Sequence, residues 1–291
     1  MLSRTSRQAL TGDSYKNDNE PEGSWKASQE PLLLDLLASE LSVDVGAIAD
    51  FELNLFDVQK ASLGGVRSEF LHSARLDNLA SCFMALEGLL GHIEDGHLSS
   101  DSDIPLVVMF DHEEIGSLSA TGAGSPIIAD AVRRITTALY HDDNTNSVKQ
   151  DWLASCLNKS FVLSSDQAHA IHPNYASKHE KQHAPKMNGG MVIKTNVNQR
   201  YATNGITAFI IREIARRAGL PPVQEFVVRQ DCGCGSTIGP TISANTGIRA
   251  IDMGCPQLSM HSIRETMGVA DCKLGLIALA STLFFYLILN R

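Results

Sequence analysis

Apolar residues recur along this chain in two rhythms, and each predicts a kind of element. Leu32, Leu33, Leu36, Leu37 and Leu41 follow Pro31 near a 3.6-residue period, which predicts a helix opened by the proline. Phe51, Leu53 and Leu55 alternate with polar neighbours and predict a strand, with Gly64-Gly65 closing that unit. From Asp77 the helical rhythm returns, with Leu79, Cys82, Phe83, Leu86 and Leu90 on one face. Leu106 to Phe110 is a short continuous apolar run and predicts a buried strand. Ile127, Ile128, Ala131, Ile135 and Leu139 predict another helix, and Phe161 to Leu163 and Met191 to Ile193 predict strands. Ile206, Phe209, Ile210 and Ile214 mark a helix stopped by Gly219 and Pro221; Phe226 to Val228 and Ile248 to Ile251 predict further strands. Alternation of strands and helices predicts an α/β layered sheet.

The two ends depart from this pattern. Residues 1–30 are polar and read as a disordered or linker segment without the apolar core of a secretory signal. Leu274 to Leu289 is almost wholly apolar but a little short of the roughly 20 residues that a membrane span needs. A buried C-terminal helix is the expectation, with a tail anchor through 274–289 as the competing one.

Composition narrows the function classes. At 291 residues with 43% hydrophobic content, the chain can bury a sizeable core. Its net charge is −9 and it holds no basic tract, so nucleic-acid binding has no electrostatic footprint. Six cysteines are scattered without a Cys-x-x-Cys pair, which reads as reduced thiols in a cytoplasmic compartment; Cys232-Gly233-Cys234 reads better as a glycine-rich turn than as a metal clip.

Glu113 and Glu114 stand side by side after the 106–110 run. Two carboxylates there are costly unless they are solvated, paired or bound to metal. A solvated loop is the ordinary reading of such a pair. Here Asp77, Asp166 and His261 also stand at the edges of apolar segments, and Asp77, the glutamate pair and Asp166 lie at joints where sites assemble in α/β sheets. A hydrolytic metal site needs carboxylate and imidazole ligands and a separate carboxylate to take a proton from water. Adjacent glutamates suit that division, one as ligand and one as base.

Several segments carry a family resemblance. They are Glu69-Phe70, Arg75-Leu76-Asp77-Asn78-Leu79, residues 111–117 (Asp-His-Glu-Glu-Ile-Gly-Ser), residues 166–175, Gln199-Arg200-Tyr201-Ala202, residues 234–240 and residues 256–265. In these the chain resembles the aspartyl aminopeptidases, dinuclear zinc exopeptidases, from about residue 30 to about residue 270. The resemblance implies a three-layer αβα catalytic domain at 72–291, and at 31–71 a remnant of an inserted oligomerisation domain. It implies removal of N-terminal Asp or Glu from peptides and assembly as a homo-oligomer. Residue by residue, it implies Asp77 as bridging ligand, Glu113 as general base, Glu114 and His261 as ligands of one zinc, and Asp166 as ligand of the other. His169, Lys194 and Tyr201 match substrate-contacting positions, and a lysine near the pocket suits an acidic side chain. His172 is the weaker neighbour of His169, with packing as its ordinary role.

The chain also departs from that family. The first histidine ligand, in a Gly-x-His-x-Asp segment, has no counterpart here. The resemblance therefore implies an N-terminally truncated relative with one complete zinc site and a second reduced to Asp77 and Asp166, with His72 or His112 as weak substitutes. The alternative function is an impaired relative that binds peptide or co-assembles with full-length subunits, in a tail-anchored form if 274–289 enters a membrane.

Overall fold

Pro31 sits at the first position of helix α1 (Pro31–Leu41), where its missing N–H costs nothing, and Glu30 accepts a hydrogen bond from Leu32 N. The computed structural model describes residues 23–99, 101, 103–139 and 151–289, so the expectation for residues 1–30 falls mostly outside the described residues. The chain divides into two units, residues 1–56 and 57–291. In the first, Leu34, Ala38 and Ile48 are buried, and Trp25 meets Phe51 edge-on at 5.5 Å. The strand expected over Phe51 to Leu55 is absent: the segment is irregular, and Leu53 and Leu55 are exposed. Alternation supplies a face but not a partner, and no described strand pairs with it.

The second unit holds two sheets. Strands β1 (Ser62–Gly64), β2 (Phe70–Ser73), β4 (Ala168–His169), β8 (Pro256–Leu258) and β9 (Glu265–Gly268) form one in the order β1-β2-β9-β8-β4. Strands β3 (Phe161–Ser165), β5 (Val192–Lys194), β6 (Gln224–Phe226) and β7 (Arg249–Gly254) form the other in the order β3-β7-β5-β6. In the second sheet β3 lies parallel to β7, and β5 antiparallel to β7 and parallel to β6.

Strand periodicity puts helices on both faces of this second sheet. Phe161, Leu163, Ile193, Ile251 and Met253 face a core built with α2 (Leu76–Glu94), α5 (Gly205–Arg217) and α7 (Val269–Leu289). Val162 faces the opposite way, towards Ile128 of α3 (Ile127–Leu139) and Ile242 of α6 (Ile238–Thr246). Helix α4 (Trp152–Lys159) precedes β3. The αβα layering is therefore present, and the chain has an α/β fold.

Three further expectations are corrected. Helix α2 forms, but Leu79 and Phe83 are 59% and 63% exposed, and Leu86 and Leu90 are exposed too. The helix instead buries Ser81, Met84, Gly88 and His92. Small residues win there because the helices approach closely: a Cβ on Gly88 would lie 3.2 Å from Ala280 N of α7. The strand expected over Leu106 to Phe110 is irregular, with Leu106 and Met109 exposed, and no described strand pairs with it. Phe110 packs against the Ile128–Ile242 cluster. The strand expected over Phe226 to Val228 lies earlier, at Gln224–Phe226, and Val228 makes an isolated bridge to His179.

Other elements agree with the pattern. Asn204 and Thr207 form a reciprocal capping box at the start of α5. In α7, Ala278 and Leu279 are buried in the main core. Among the described residues no helix is long and apolar enough to cross a membrane.

Gly254, at the end of β7, marks the tightest backbone approach near the site. A Cβ there would fall 1.9 Å from Asp166 O. Gly254→Ala is expected to cost about 1–3 kcal/mol, because backbone rather than a flexible side chain must move. Thermal unfolding of the variant checks this; an unchanged Tm would contradict it.

Candidate metal centre

Five segments carry the candidate residues. Asp77 lies in the first turn of α2, after Arg75 in the left-handed region (φ 57°), and the Asp77–Asn78 peptide is cis. Glu113 and Glu114 form a short 3-10 turn (Glu113–Ile115), entered through His112 (φ 60°) and left through Gly116 (φ 102°). That turn is tied by Ser117 N donating to His112 O at 2.8 Å. Asp166 directly follows β3, and its N–H donates to Met253 O at 3.0 Å. His261 lies in the turn between β8 and β9, and Lys194 ends β5.

The structure brings Asp77, Glu114 and His261 together. His261 Nε2 is 3.1 Å from Glu114 Oε2 and 3.3 Å from Asp77 Oδ2. One donor atom from each lies within 4.8 Å of the others, and no other trio of acid, imidazole or thiol side chains does so among the described residues. The Asp77 side chain is almost wholly buried, yet its Oδ1 has no hydrogen-bond partner. A buried oxygen without a partner is uncommon and asks for a ligand. Two carboxylates and one imidazole are zinc donors in type and number, leaving an open position. The residues present therefore fit a zinc ion.

Electrostatics agree. Burial, with the neighbouring Asp166 and Glu114, pushes Asp77 up to about 9. Burial, then Asp166 and Glu114, pushes Glu113 up to about 7. Glu114 is raised by burial; His261 opposes the shift, while Asp166 and Glu265 add to it. Carboxylates so crowded favour a cation among them.

Asp166 is held differently. Its Oδ2 accepts from Lys194 Nζ at 2.8 Å. Burial works against its charge, but Lys194 and the hydrogen bonds from Lys194, Asp77 and Asn78 outweigh it and hold the carboxyl below its usual range. Lys194 shares one sheet face with Val192 and stands across from Phe226 in register. The ammonium lies 5.5 Å from the centre of the Tyr201 ring. Tyr201 is buried, and its phenol is pushed up by burial and by Cys234, whose Sγ lies 3.3 Å from the Tyr201 oxygen. The His169 ring lies 6.0 Å from Phe226, and burial, with Lys194 nearby, lowers its pKa. Lys194, Tyr201 and His169 thus gather around Phe226.

The secondary candidates have other partners. His72 Nδ1 is 2.8 Å from Thr266 Oγ1, and His112 Nδ1 is 2.7 Å from Ser119 Oγ. The His172 ring accepts from Asn174 N. All six cysteines are free.

Three contributors carried little signal in the pattern. Asn78 Oδ1 accepts from Gln167 N at 2.9 Å and ties the Asp77 segment to the one after Asp166. Phe226 reads as an ordinary strand apolar residue. Asp252, inside β7, accepts from Ala202 N and Thr237 Oγ1, both at 2.6 Å, and fixes the Tyr201 loop. A carboxylate in an apolar strand was the one clue to it.

Layered helices frame a carboxylate–imidazole trio and a paired lysine, and comparison with known proteins is specific. The family model for aminopeptidase I zinc metalloproteases (M18) matches residues 4–285. A probable aspartyl aminopeptidase of Ricinus communis is 47% identical over 266 residues, covering 88% of this chain and 52% of that protein. Aspartyl aminopeptidase 4 of Saccharomyces cerevisiae is 48% identical over 245 residues, covering 83% of this chain and 49% of that protein. Among solved structures, the chain in the cryo-EM structure of an Ape4 and Nbr1 complex matches at TM-score 0.83 and 38% identity, covering 100% of this chain and 58% of that one. The S. cerevisiae mApe1 dodecamer matches at TM-score 0.77 and 32% identity, covering 89% and 56%. The chain belongs to the M18 family of zinc metalloproteases. It spans about half the length of the curated relatives it matches.

Proposed function

We propose that this chain is a zinc metalloaminopeptidase that removes N-terminal Asp or Glu from peptides. The observation that carries the reading is the Asp77–Glu114–His261 trio, whose Asp77 side chain is buried with its Oδ1 left without a partner. These three residues would hold one zinc, and a bound zinc supplies Lewis acidity towards water and carbonyl oxygen. Glu113 lies outside the trio, half-buried and more basic than an ordinary carboxylate, so it can accept a proton from water and return it to the leaving amine. Lys194, Tyr201 and His169 offer a cation, a hydroxyl and an imidazole to an acidic first residue. The names of the relatives support that substrate class. The dodecameric form of the S. cerevisiae relative supports self-association, and six free cysteines support a reducing, cytoplasmic setting.

A second reading is an impaired relative that binds peptide. The observation favouring it is Asp166, which pairs with Lys194 instead of joining a second trio. One experiment separates the two: load the purified chain with zinc, then measure the metal-to-protein ratio and release of Asp from an Asp-x peptide against an Ala-x peptide. About one zinc or more with selective Asp release is the expected result. Zinc uptake without release, or no uptake at all, overturns the active enzyme and supports the impaired relative.

A further inference from the structure

Two segments of the candidate centre are far apart in sequence, and a single buried side chain joins them. Glu265 opens β9, is 2% exposed, and pairs with Ser73 across the ladder. Its Oε2 accepts from Asp77 N at 2.9 Å. Its Oε1 accepts from His261 N at 2.7 Å. We propose that Glu265 is a positioning residue: its carboxylate clamps the backbone amides of Asp77 and His261 and so sets the spacing of two donors of the zinc trio.

The assignment rests on the zinc reading and adds a residue that need not touch the metal. Both segments need an external hold. His261 has φ 63° and Ser259 φ 60°, a region that non-glycine residues avoid. The His261 side chain is 66% exposed, so packing does little to fix it. Asp77 and Asn78 themselves have non-helical dihedrals, so the Asp77 amide lies outside the regular ladder of α2. A carboxylate has one oxygen for each amide, and charge strengthens both bonds. Supporting groups of this kind orient metal ligands, and losing one commonly weakens metal binding about 10- to 100-fold.

A matched control exists in the same unit. Asp271, in the first turn of α7, is also fully buried and also accepts from two backbone amides, Asn188 N at 2.6 Å and Gly190 N at 2.8 Å. It belongs to no part of the candidate centre. Glu265→Gln and Asp271→Asn therefore remove the same chemistry at two places.

The experiment measures zinc affinity by chelator competition, thermal unfolding of the metal-free proteins, and hydrogen exchange at the Asp77 and His261 amides. Glu265→Gln is expected to weaken zinc binding at least tenfold and to speed exchange at both amides at least tenfold. Asp271→Asn is expected to leave both within twofold of wild type, even where its Tm falls as far. Glu265→Asp keeps the charge but shortens the reach, and is expected to weaken zinc binding too; it decides the matter if the Gln variant does not fold. Zinc affinity within twofold of wild type in the Glu265 variants, or an equal loss in Asp271→Asn, overturns the assignment. If wild type takes up no zinc, the zinc reading fails, and amide exchange alone decides whether Glu265 holds the two segments.

Discussion

Glu113→Gln is expected to lower turnover of an N-terminal Asp peptide by about 10²- to 10⁴-fold while leaving zinc uptake unchanged. The substitution keeps size and shape. It also keeps the local turn, because Gly116 N bonds to the backbone O of Glu113 and not to its side chain. What it removes is the one carboxylate of the pair that stands outside the donor trio. Burial makes this carboxylate a stronger base than usual, about 7 against an ordinary 4.5, which suits accepting a proton near neutral pH. Its neighbour supplies the contrast: Glu114→Gln removes a donor 3.1 Å from His261 Nε2 and is expected to lower zinc affinity itself. Steady-state kinetics and metal analysis on both variants check the division of labour. Unchanged kcat in Glu113→Gln, or zinc loss equal in the two, would contradict it.

The donor trio was legible in the sequence because it draws on residue types that are expensive where they stand. Adjacent glutamates, an aspartate opening a helix and a histidine in a polar turn each ask for a partner, and the structure puts Asp77, Glu114 and His261 in one place. The helices were legible for another reason. A 3.6-residue period, opened by Pro31 in one helix and stopped by Gly219 and Pro221 in another, is local information, and local hydrogen bonds complete it. Strands are not local. Leu106 to Phe110 has strand composition, but whether it becomes a strand depends on a neighbour offering a ladder. The buried face of α2 was hidden for a third reason. Periodicity weights bulk, so it marked Leu79, Phe83, Leu86 and Leu90, whereas close approach to α7 selects Gly88, and Ser81 is buried where its hydroxyl accepts from Gln167 Nε2. Glu265 was least legible of all. It works on backbone amides, which leave no trace in the residues they belong to.

Lys194→Met is expected to destabilise the metal-free protein by about 3–5 kcal/mol. The lysine is 3% exposed, and its ammonium sits 2.8 Å from Asp166 Oδ2. A lysine on a β-strand face with Val192 as neighbour is costly to bury, and Asp166 offsets that cost. Methionine fills nearly the same volume, so packing changes little and the variant reports on charge. Without the ammonium, Asp166 and Asp77 face one another with their main neutralising cation gone. For a chain of this size the loss corresponds to a Tm lower by roughly 10 °C. Zinc bears on the same deficit. A cation held by Asp77, Glu114 and His261 relieves the repulsion that Lys194 no longer screens, so added zinc is expected to raise the Tm of the variant more than that of wild type. Calorimetry of both proteins, with and without zinc, measures this difference. A Tm within about 2 °C of wild type would mean the pair contributes little to the fold. Lys194 would then be reserved for the substrate's acidic side chain, and its loss would appear in KM alone.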